Sequence, residues 1–362
     1  MSVELSRPHS HRVFQSPSKA LEPKVAVLLN ANARQVNDRV VRSLTHVVPD
    51  EDLYVSRSEL DCRRIAQRVL ERRYDTVFFG GGDGTFVNFT TELVNQHKRR
   101  ASKSPMPRLG ILRLGTGNAL AAFVHASPTR GNGFLDDVLR ARSGEVRCRP
   151  LDLLSVEGKR APFAGLGVDA QLLNDYAWIR TKLGSGGLFG PLLAGGGGYF
   201  SAAAFKTVPH YLTHSTSVEC EVTNGNRGPA YRLAPDGTAA SEPIEPGATM
   251  FRGRVMMAAA GTIPFYGFGF KIFPFAGRRP GLMHLRLGAM PTSSILANLS
   301  KLWKGRWFPD GIHDFHAREV VLRFDRPMPF QIGGDAEGYR DEVRLEIGPE
   351  PVQMLDFQGV LN

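Results

Sequence analysis

Two glycine-rich loops contain the residues best suited to chemistry. Residues 80–85 read Gly-Gly-Gly-Asp-Gly-Thr and follow the apolar run 76–79, and residues 115–118 read Gly-Thr-Gly-Asn and follow the apolar run 109–114. Glycine lets the backbone approach a phosphate closely, and the N-terminus of a following helix presents free N–H groups. The spacing therefore predicts two phosphate-binding loops. Their expected binding residues are Gly81, Gly82, Asp83, Gly84, Thr85, Gly115, Thr116 and Asn118.

Asp83 supplies a carboxylate within the first loop. This group could contact a metal–nucleotide complex or an attacking hydroxyl, and it is our candidate metal contact. The alternative is a tight strand-to-helix turn in which Asp83 only caps the helix. Ligands of open parallel sheets bind at the carboxyl ends of the strands, so two such loops on neighbouring strands are expected to face one crevice. This convergence favours a binding site.

Strands and helices alternate along the first part of the chain, which indicates a parallel sheet with helical crossovers. Apolar runs at 25–29, 76–79 and 109–114 read as buried strands. After about residue 146, short strand-like runs such as 319–324 and 342–347 are separated by Gly, Pro and Asn, which is typical of an antiparallel sandwich or barrel. We therefore place a boundary near residue 146.

Composition limits the partners and the compartment. Lys and Arg total 45 and Asp and Glu total 35, so the net charge of +10 favours anionic partners, while no motif supports nucleic-acid binding. Three dispersed cysteines and the absence of a secretory apolar stretch in the first 24 residues predict a cytoplasmic protein. Residues 183–205 carry no charge, but glycines and a proline interrupt them, so an apolar flap or buried segments are expected rather than a membrane span.

The ordered motifs resemble the diacylglycerol kinase and lipid kinase family. Residues 81–85 match its G-G-D-G-T motif, with Asn88 at the usual asparagine, and residues 117–121 resemble the sphingosine kinase form of its second loop. Three later segments also resemble the family, namely residues 163–170, 266–276 and 331–338. The first motif alone is shared with NAD kinases, whereas the ordered set is much more specific.

The resemblance implies an α/β plus all-β fold. A three-layer α/β nucleotide-binding domain is expected at residues 24–146, a β-sandwich lipid-binding domain at 147–349, and an active site in the cleft between them. A strand within 350–362 is expected to return to the first domain, and residues 1–23 to form a disordered tail. ATP with Mg²⁺ would be the cofactor. The resemblance places Asn30, Ser56 and Asn88 near the nucleotide.

The resemblance also suggests the catalytic base. Glu337 stands at the position of the catalytic carboxylate in the bacterial enzymes, with Asp335 beside it, whereas sphingosine kinases use the position of Asp83. Three features depart from the family pattern: the late motif reads Asp-Ala-Glu, residues 30–33 lack the usual Asn-Pro loop, and Pro280 replaces the Asp of a structural magnesium site. We predict that this magnesium site is missing.

These features predict a lipid kinase that transfers the γ-phosphate of ATP to a lipid hydroxyl. Diacylglycerol, giving phosphatidic acid, is the first acceptor, and a sphingoid base or ceramide is the next. An NAD kinase-like enzyme and a catalytically inactive nucleotide- and lipid-binding protein are the alternatives. The basic and aromatic stretch 301–308 predicts peripheral contact with an anionic membrane that holds the substrate, although a helix end with two buried tryptophans would explain it equally. A second copy of the chain is the other expected partner.

Overall fold

The computed structural model describes residues 23–33, 35–100, 104–115, 117–167, 170, 217–267 and 269–358. The predicted tail, apart from its last residue, and the uncharged segment 183–205 lie outside these ranges. No helix within them combines the length and the apolar character needed to cross a bilayer. The strands of the described ranges form one sheet of six strands and one of eleven.

The first sheet is the parallel sheet that the strand–helix alternation predicts. Its strands are β1 (Val25–Asn30), β2 (Leu53–Ser56), β3 (Thr76–Gly81), β4 (Arg108–Arg113), β5 (Arg147–Leu151) and β17 (Val352–Asp356). Their spatial order is β2-β1-β3-β4-β17-β5. All neighbouring pairs are parallel except β17 with β5, which is antiparallel.

Helices cover both faces of this sheet. They are α1 (Asp38–Thr45), α2 (Glu59–Arg72), α3 (Asp83–Arg99), α4 (Ala119–Phe123) and α5 (Gly133–Ser143). Successive residues of a strand point to opposite faces, so Val27 packs in one core with Leu44 of α1, and Leu28 packs in the other with Ala66 of α2 and Phe86 of α3. This confirms the three-layer arrangement.

The second sheet is antiparallel. Its strands are β6 (Leu154–Val156), β7 (Lys159–Ala161), β8 (Phe163–Gly167), β9 (Val218–Asn224), β10 (Tyr231–Arg232), β11 (Thr249–Val255), β12 (Met257–Gly261), β13 (Met283–Gly288), β14 (Ile312–Ala317), β15 (Glu319–Ile332) and β16 (Asp335–Ile347). The order is β10-β14-β13-β12-β8-β15-β16-β6-β7, with β9 on β15 and β11 on β9. Two short helices, α6 (Thr292–Ala297) and α7 (Leu299–Trp303), lie between β13 and β14.

The long strand β15 joins the two parts of this sheet. Its first half pairs with β9 and its last residues, Phe330 to Ile332, pair with β8. The register with β16 shifts between Arg323 and Met328, where the strand passes from one partner to the other. The predicted α/β plus all-β fold is confirmed, and its β half is one continuous network of strands.

The sheet pairing also bears on the domain boundaries. β17, which lies within the predicted returning segment 350–362, is a central strand of the first sheet. β5 pairs with it and belongs to the same sheet, although it begins after the boundary predicted at residue 146. The chain therefore passes from the first sheet to the second between Leu151 and Leu154, and it returns between Ile347 and Val352.

Candidate functional site

Four parallel strands end at one edge of the first sheet. β1 ends at Asn30 and β2 at Ser56, which pair in register, and Gly81 of β3 pairs with Arg113 of β4. The two glycine-rich loops leave the sheet directly after β3 and β4. The structure thus brings both loops, Asn30 and Ser56 to the edge where ligands of such sheets bind.

The first loop presents the N-terminus of α3. Gly82 precedes this helix, and no side chain caps it. Asn30 Nδ2 donates a hydrogen bond of 2.9 Å to Thr85 Oγ1, while Asn30 Oδ1 accepts one of 2.9 Å from the Asn32 N–H. Asn30 therefore ties the end of β1 to the first turn of α3. An uncapped helix N-terminus beside glycines fits an anion such as a phosphate.

The second loop is closed by its own asparagine. Asn118 Oδ1 accepts a hydrogen bond of 3.1 Å from the Gly115 N–H, and Asn118 Nδ2 donates one of 2.6 Å to the Gly115 carbonyl. The two loops also touch, because a side chain on Gly115 would collide with the backbone of Gly82. Asn118 thus shapes the loop. Thr116 lies outside the described residues.

Asp83 of the first loop holds the helix of the second. Its Oδ2 accepts a hydrogen bond of 3.0 Å from the Ala119 N–H, and its Oδ1 accepts one of 3.1 Å from the Leu120 N–H. Burial raises the pKa of Asp83, and the two N–H donors oppose this rise. The alternative role considered from the sequence is a cap of the helix that follows the first loop. In the structure, Asp83 instead caps α4, the helix that follows the second loop. The roles of Asp83 as base or metal contact stay predictions.

An acidic hairpin from the second sheet reaches the first loop. Gly333 and Gly334 have φ values of 59° and 90° and form the two-residue turn between β15 and β16, and such left-handed conformations match the twist of the flanking strands. Asp335 follows the turn, and its carboxylate lies so close to Gly84 that a side chain at position 84 would collide with it. The two predicted acidic residues 335 and 337 therefore lie in strand β16, beside the first loop.

The charges of this hairpin interact with one lysine. Lys159 Nζ of β7 forms an ion pair with Glu337 Oε1. The residue Asp335 is exposed, but desolvation of its carboxylate raises its pKa. The positive charge of Lys159 lowers this pKa, and the negative charges of Glu337 and Asp83 raise it further. Three carboxylates thus lie in this part of the molecule, and Lys159 and Arg340 both contact Glu337. Within the described residues, no group of three or more His, Cys, Asp or Glu side chains is arranged to hold a metal ion by itself.

Two further predicted residues lie near the same edge. Ser56 is buried, and its hydroxyl donates a hydrogen bond of 3.1 Å to the Ser58 carbonyl. Asn88 is half-buried on α3, one turn after the loop. Neither position contradicts the predicted contact with a nucleotide, and both contacts stay predictions.

Sequence reasoning missed Lys159 as a site residue. It follows a two-residue turn, Glu157–Gly158, whose φ values of 46° and 79° make a tight hairpin between β6 and β7. The Glu-Gly pair in the sequence indicates a turn before Lys159. Its ion-pair partner Glu337, however, lies 178 positions further along the chain, so the sequence alone does not indicate the pair. The strand order β16-β6-β7 of the second sheet brings the two together.

The turn at Pro280 is held by an aspartate from elsewhere. Gly281, with a φ of 76°, donates its N–H to Asp152 Oδ2 at 2.7 Å. Asp152 therefore interacts with the turn through a hydrogen bond from the protein backbone. The expected lack of a magnesium site at this turn stays a prediction.

The predicted membrane stretch has an exposed and a packed part. Trp303 is 36% exposed and stacks on Phe270 at 5.3 Å between ring centroids, and Leu299 is 46% exposed. Phe308 instead stacks on Phe275 at 5.3 Å. The basic residues around Trp303 are exposed, namely Lys301, Lys304 and Arg306. We call Leu299, Lys301, Trp303, Lys304 and Arg306 the α7 surface.

Comparison with known proteins agrees with this geometry. Residues 24–149 match the diacylglycerol kinase catalytic domain family. A YegS-like probable lipid kinase from Klebsiella pneumoniae (strain 342) is 34% identical over 103 residues, which cover 27% of this chain and 32% of that protein. A second one, from Pseudomonas aeruginosa, is 31% identical over 142 residues, covering 38% of this chain and 42% of that protein. The chain thus matches less than half the length of these curated relatives.

The likeness of the fold extends further than the likeness of the sequence. A solved diacylglycerol kinase structure from Bacillus anthracis str. Sterne superposes with a TM-score of 0.60 over 95% of this chain and 100% of that one, at 14% sequence identity. This similarity shows the two-domain fold. The resemblance that the motifs predict is confirmed over residues 24–149, which match the diacylglycerol kinase catalytic domain family.

Proposed function

We propose that this chain transfers the γ-phosphate of ATP to the hydroxyl group of a lipid. The observation that carries the proposal is the contact between Asp335 and Gly84, which sets the acidic hairpin of one sheet against the phosphate-binding loop of the other. Phosphoryl transfer to a hydroxyl group requires a base near the phosphate-binding loop, because the hydroxyl must lose its proton, and a carboxylate can accept that proton.

The nucleotide phosphates would bind to the two glycine loops. The uncapped N–H groups of α3 and the backbone of the adjoining loops can donate hydrogen bonds to phosphate oxygens without any lysine. Mg²⁺ usually binds through one or two carboxylates together with substrate phosphates, and the carboxylates of Asp83 and Asp335 at the first loop fit that donor set. When bound with ATP, Mg²⁺ supplies charge neutralisation on the phosphate oxygens.

The acidic hairpin would supply the base. Glu337 is our first candidate and Asp83 the second. The carboxylate takes the proton of the lipid hydroxyl, the hydroxyl oxygen forms a bond to the γ-phosphorus, and the bond from that phosphorus to the β-phosphate oxygen breaks, so ADP leaves. In this structure Lys159 holds Glu337, so the side chain must release or share this ion pair when it accepts the proton.

The acceptor is proposed to be diacylglycerol, and next a sphingoid base or ceramide. All present a hydroxyl close to apolar chains, so the enzyme must meet them at a bilayer surface. The α7 surface, with its exposed tryptophan and three basic side chains, fits a membrane that carries anionic headgroups.

The experiment is transfer of radiolabelled phosphate from ATP to a lipid extract, with resolution of the labelled lipid. We expect a labelled lipid with the wild type, loss of labelling with Glu337→Gln, and normal labelling with Asp341→Asn, an exposed aspartate of the same strand. Labelling of NAD rather than lipid would identify an NAD kinase-like enzyme. ATP binding without any labelled product would identify an inactive binding protein.

A further inference from the structure

Gln331 is a buried glutamine whose amide is engaged at both ends. It lies near the end of β15 and has no exposed surface. Its Nε2 donates a hydrogen bond to the Tyr266 hydroxyl, and its Oε1 accepts one of 2.8 Å from the Gly334 N–H at the tip of the acidic hairpin. A buried amide with both ends satisfied fixes its neighbours strongly, because any displacement leaves a buried polar group without a partner.

The hairpin tip is held from two further sides. The Gly333 N–H donates a hydrogen bond of 2.9 Å to the Phe163 carbonyl of β8. Gly333 also packs against Val87 of α3, so closely that a side chain at position 333 would collide with it. The tip thus lies between the second sheet and the helix that follows the first glycine loop.

Tyr266 connects this arrangement to the second glycine loop. Its ring packs on Phe163 at 4.7 Å and on Phe273 at 5.6 Å between centroids, which fixes the position of its hydroxyl. The next residue, Gly267, has a φ of 120° and faces Gly117, so that a Cβ at position 267 would lie in van der Waals contact with the backbone of Gly117. The segment that contains Tyr266 and Gly267 therefore lies beside the second glycine loop. The acidic hairpin, which Gln331 holds through Gly334, contacts the first glycine loop.

We propose that Gln331 is a positioning residue, which fixes the acidic hairpin relative to both glycine loops through Gly334 and Tyr266. This inference rests on the proposed function, because the hairpin carries the candidate base. Gln331 acts through Gly334 on Asp335 and Glu337 and is itself buried beneath the turn. A misplacement of about 1 Å at a reacting group costs about 10²-fold in rate, so its loss should lower kcat while ATP still binds.

Two variants and a matched control test the proposal. Gln331→Met keeps the size of the side chain and removes both hydrogen bonds, and Tyr266→Phe removes only the hydroxyl and keeps the ring. Gln353→Met makes the same chemical change at an exposed position of β17. The measurements are hydrogen–deuterium exchange of the Gly334 amide, and kcat and KM for ATP with the lipid acceptor that the extract experiment labels.

We expect Gln331→Met to exchange the Gly334 amide at least about tenfold faster and to lower kcat about 10- to 100-fold, with KM for ATP within about twofold of the wild type. Tyr266→Phe should lower kcat less, and Gln353→Met should change nothing. Unchanged Gly334 exchange in Gln331→Met, or kcat within twofold of the wild type, overturns the inference.

Two other outcomes are also decisive. If Gln331→Met does not fold, Tyr266→Phe decides, and an unchanged kcat and Gly334 exchange in that variant overturn the inference. If the wild type labels no lipid, the proposed function fails, and the exchange of Gly334 alone then decides whether Gln331 positions the hairpin.

Discussion

Replacing Asp83 with asparagine separates a loop-holding role from a catalytic one. Asp83 offers two oxygens to two backbone N–H groups, at 3.0 Å from Ala119 and 3.1 Å from Leu120. Asparagine is the same size but has one acceptor oxygen, and its NH₂ group would face the other N–H. The variant Asp83→Asn therefore loses one of the two hydrogen bonds and weakens the remaining one, which no longer has a charged acceptor.

The magnitude follows from the charge of the acceptor. A hydrogen bond to a charged group contributes about 1.5–3 kcal/mol, and every 1.4 kcal/mol is about a tenfold change in an equilibrium constant. Burial raises the pKa of Asp83 and so makes its charge costly, which places the net loss toward the lower end of this range. The amides of Ala119 and Leu120 should then exchange with deuterium about 10- to 100-fold faster than in the wild type.

The assay is residue-resolved hydrogen–deuterium exchange, with ATP affinity measured alongside. Asp61→Asn is the control, because the oxygen of asparagine can still accept the hydrogen bond of 3.0 Å that Asp61 Oδ2 accepts from the Arg57 N–H. We expect Asp83→Asn to weaken ATP binding as the second loop loosens. Exchange of Ala119 and Leu120 at the wild-type rate would refute the reasoning, and loss of turnover with such unchanged exchange would favour Asp83 as the base.

Three further outcomes are expected. Gly84→Ala should lower turnover at least about tenfold, because the new methyl group displaces Asp335 from the first loop. Lys304→Glu should reduce binding to anionic vesicles about tenfold or more in sedimentation assays, since each basic side chain near such a surface contributes about 1 kcal/mol, whereas Lys98→Glu should not. Asp314→Asn should lower the free energy of unfolding by about 3–5 kcal/mol, because it leaves a buried arginine unpaired.

The effect of Asp314→Asn on the free energy of unfolding should also depend on pH. Burial opposes its charged form, but the hydrogen bonds and charges of His284 and Arg286 outweigh burial and lower the pKa to about 2. Because the folded pKa lies below the unfolded value of about 3.9, the stabilisation is present above pH 4 and is lost as the pH falls through 2. The wild type and Asp314→Asn should therefore converge in stability as the medium is acidified, and a constant difference down to pH 2 contradicts this assignment.

Contrary results for the other two variants are equally clear. Wild-type turnover in Gly84→Ala would mean that the Asp335 contact is not needed for transfer, which removes the observation that carries the proposed function. Equal sedimentation of Lys304→Glu and Lys98→Glu with anionic vesicles would show that the α7 surface does not contact the membrane.

The glycine loops and their sheet were predictable because their signals are local. A buried run, then glycines, then a helix specify each strand–loop–helix unit within about twenty residues, and the topology of parallel sheets places successive loops at one edge. The placement of helices on both faces of the sheet follows because successive residues of each buried strand point to opposite faces. Asn30 and Gly81 accordingly lie where the sequence placed them, at the ends of adjacent strands.

The contacts between the loops and the hairpin were not predictable, because they join distant positions. The carboxylate of Asp83 binds amides 36 and 37 positions away, and Lys159 pairs with Glu337 across 178 positions. The sequence predicts only a short strand-like run at residues 319–324. In the structure, the register shifts there and the strand continues to Ile332, which carries the acidic residues to the first loop.

The positions of the charged side chains bear on the role of the net charge of +10. Near the first glycine loop lie three carboxylates, Asp83, Asp335 and Glu337, together with Lys159, and Arg113 pairs with Gly81 at the end of β4. We propose that backbone N–H groups, the N-terminus of α3 and an accompanying cation hold the phosphates of ATP there. We propose that the α7 surface, which is both basic and apolar, contacts an anionic membrane, and replacing its basic side chains should then leave nucleotide affinity unchanged.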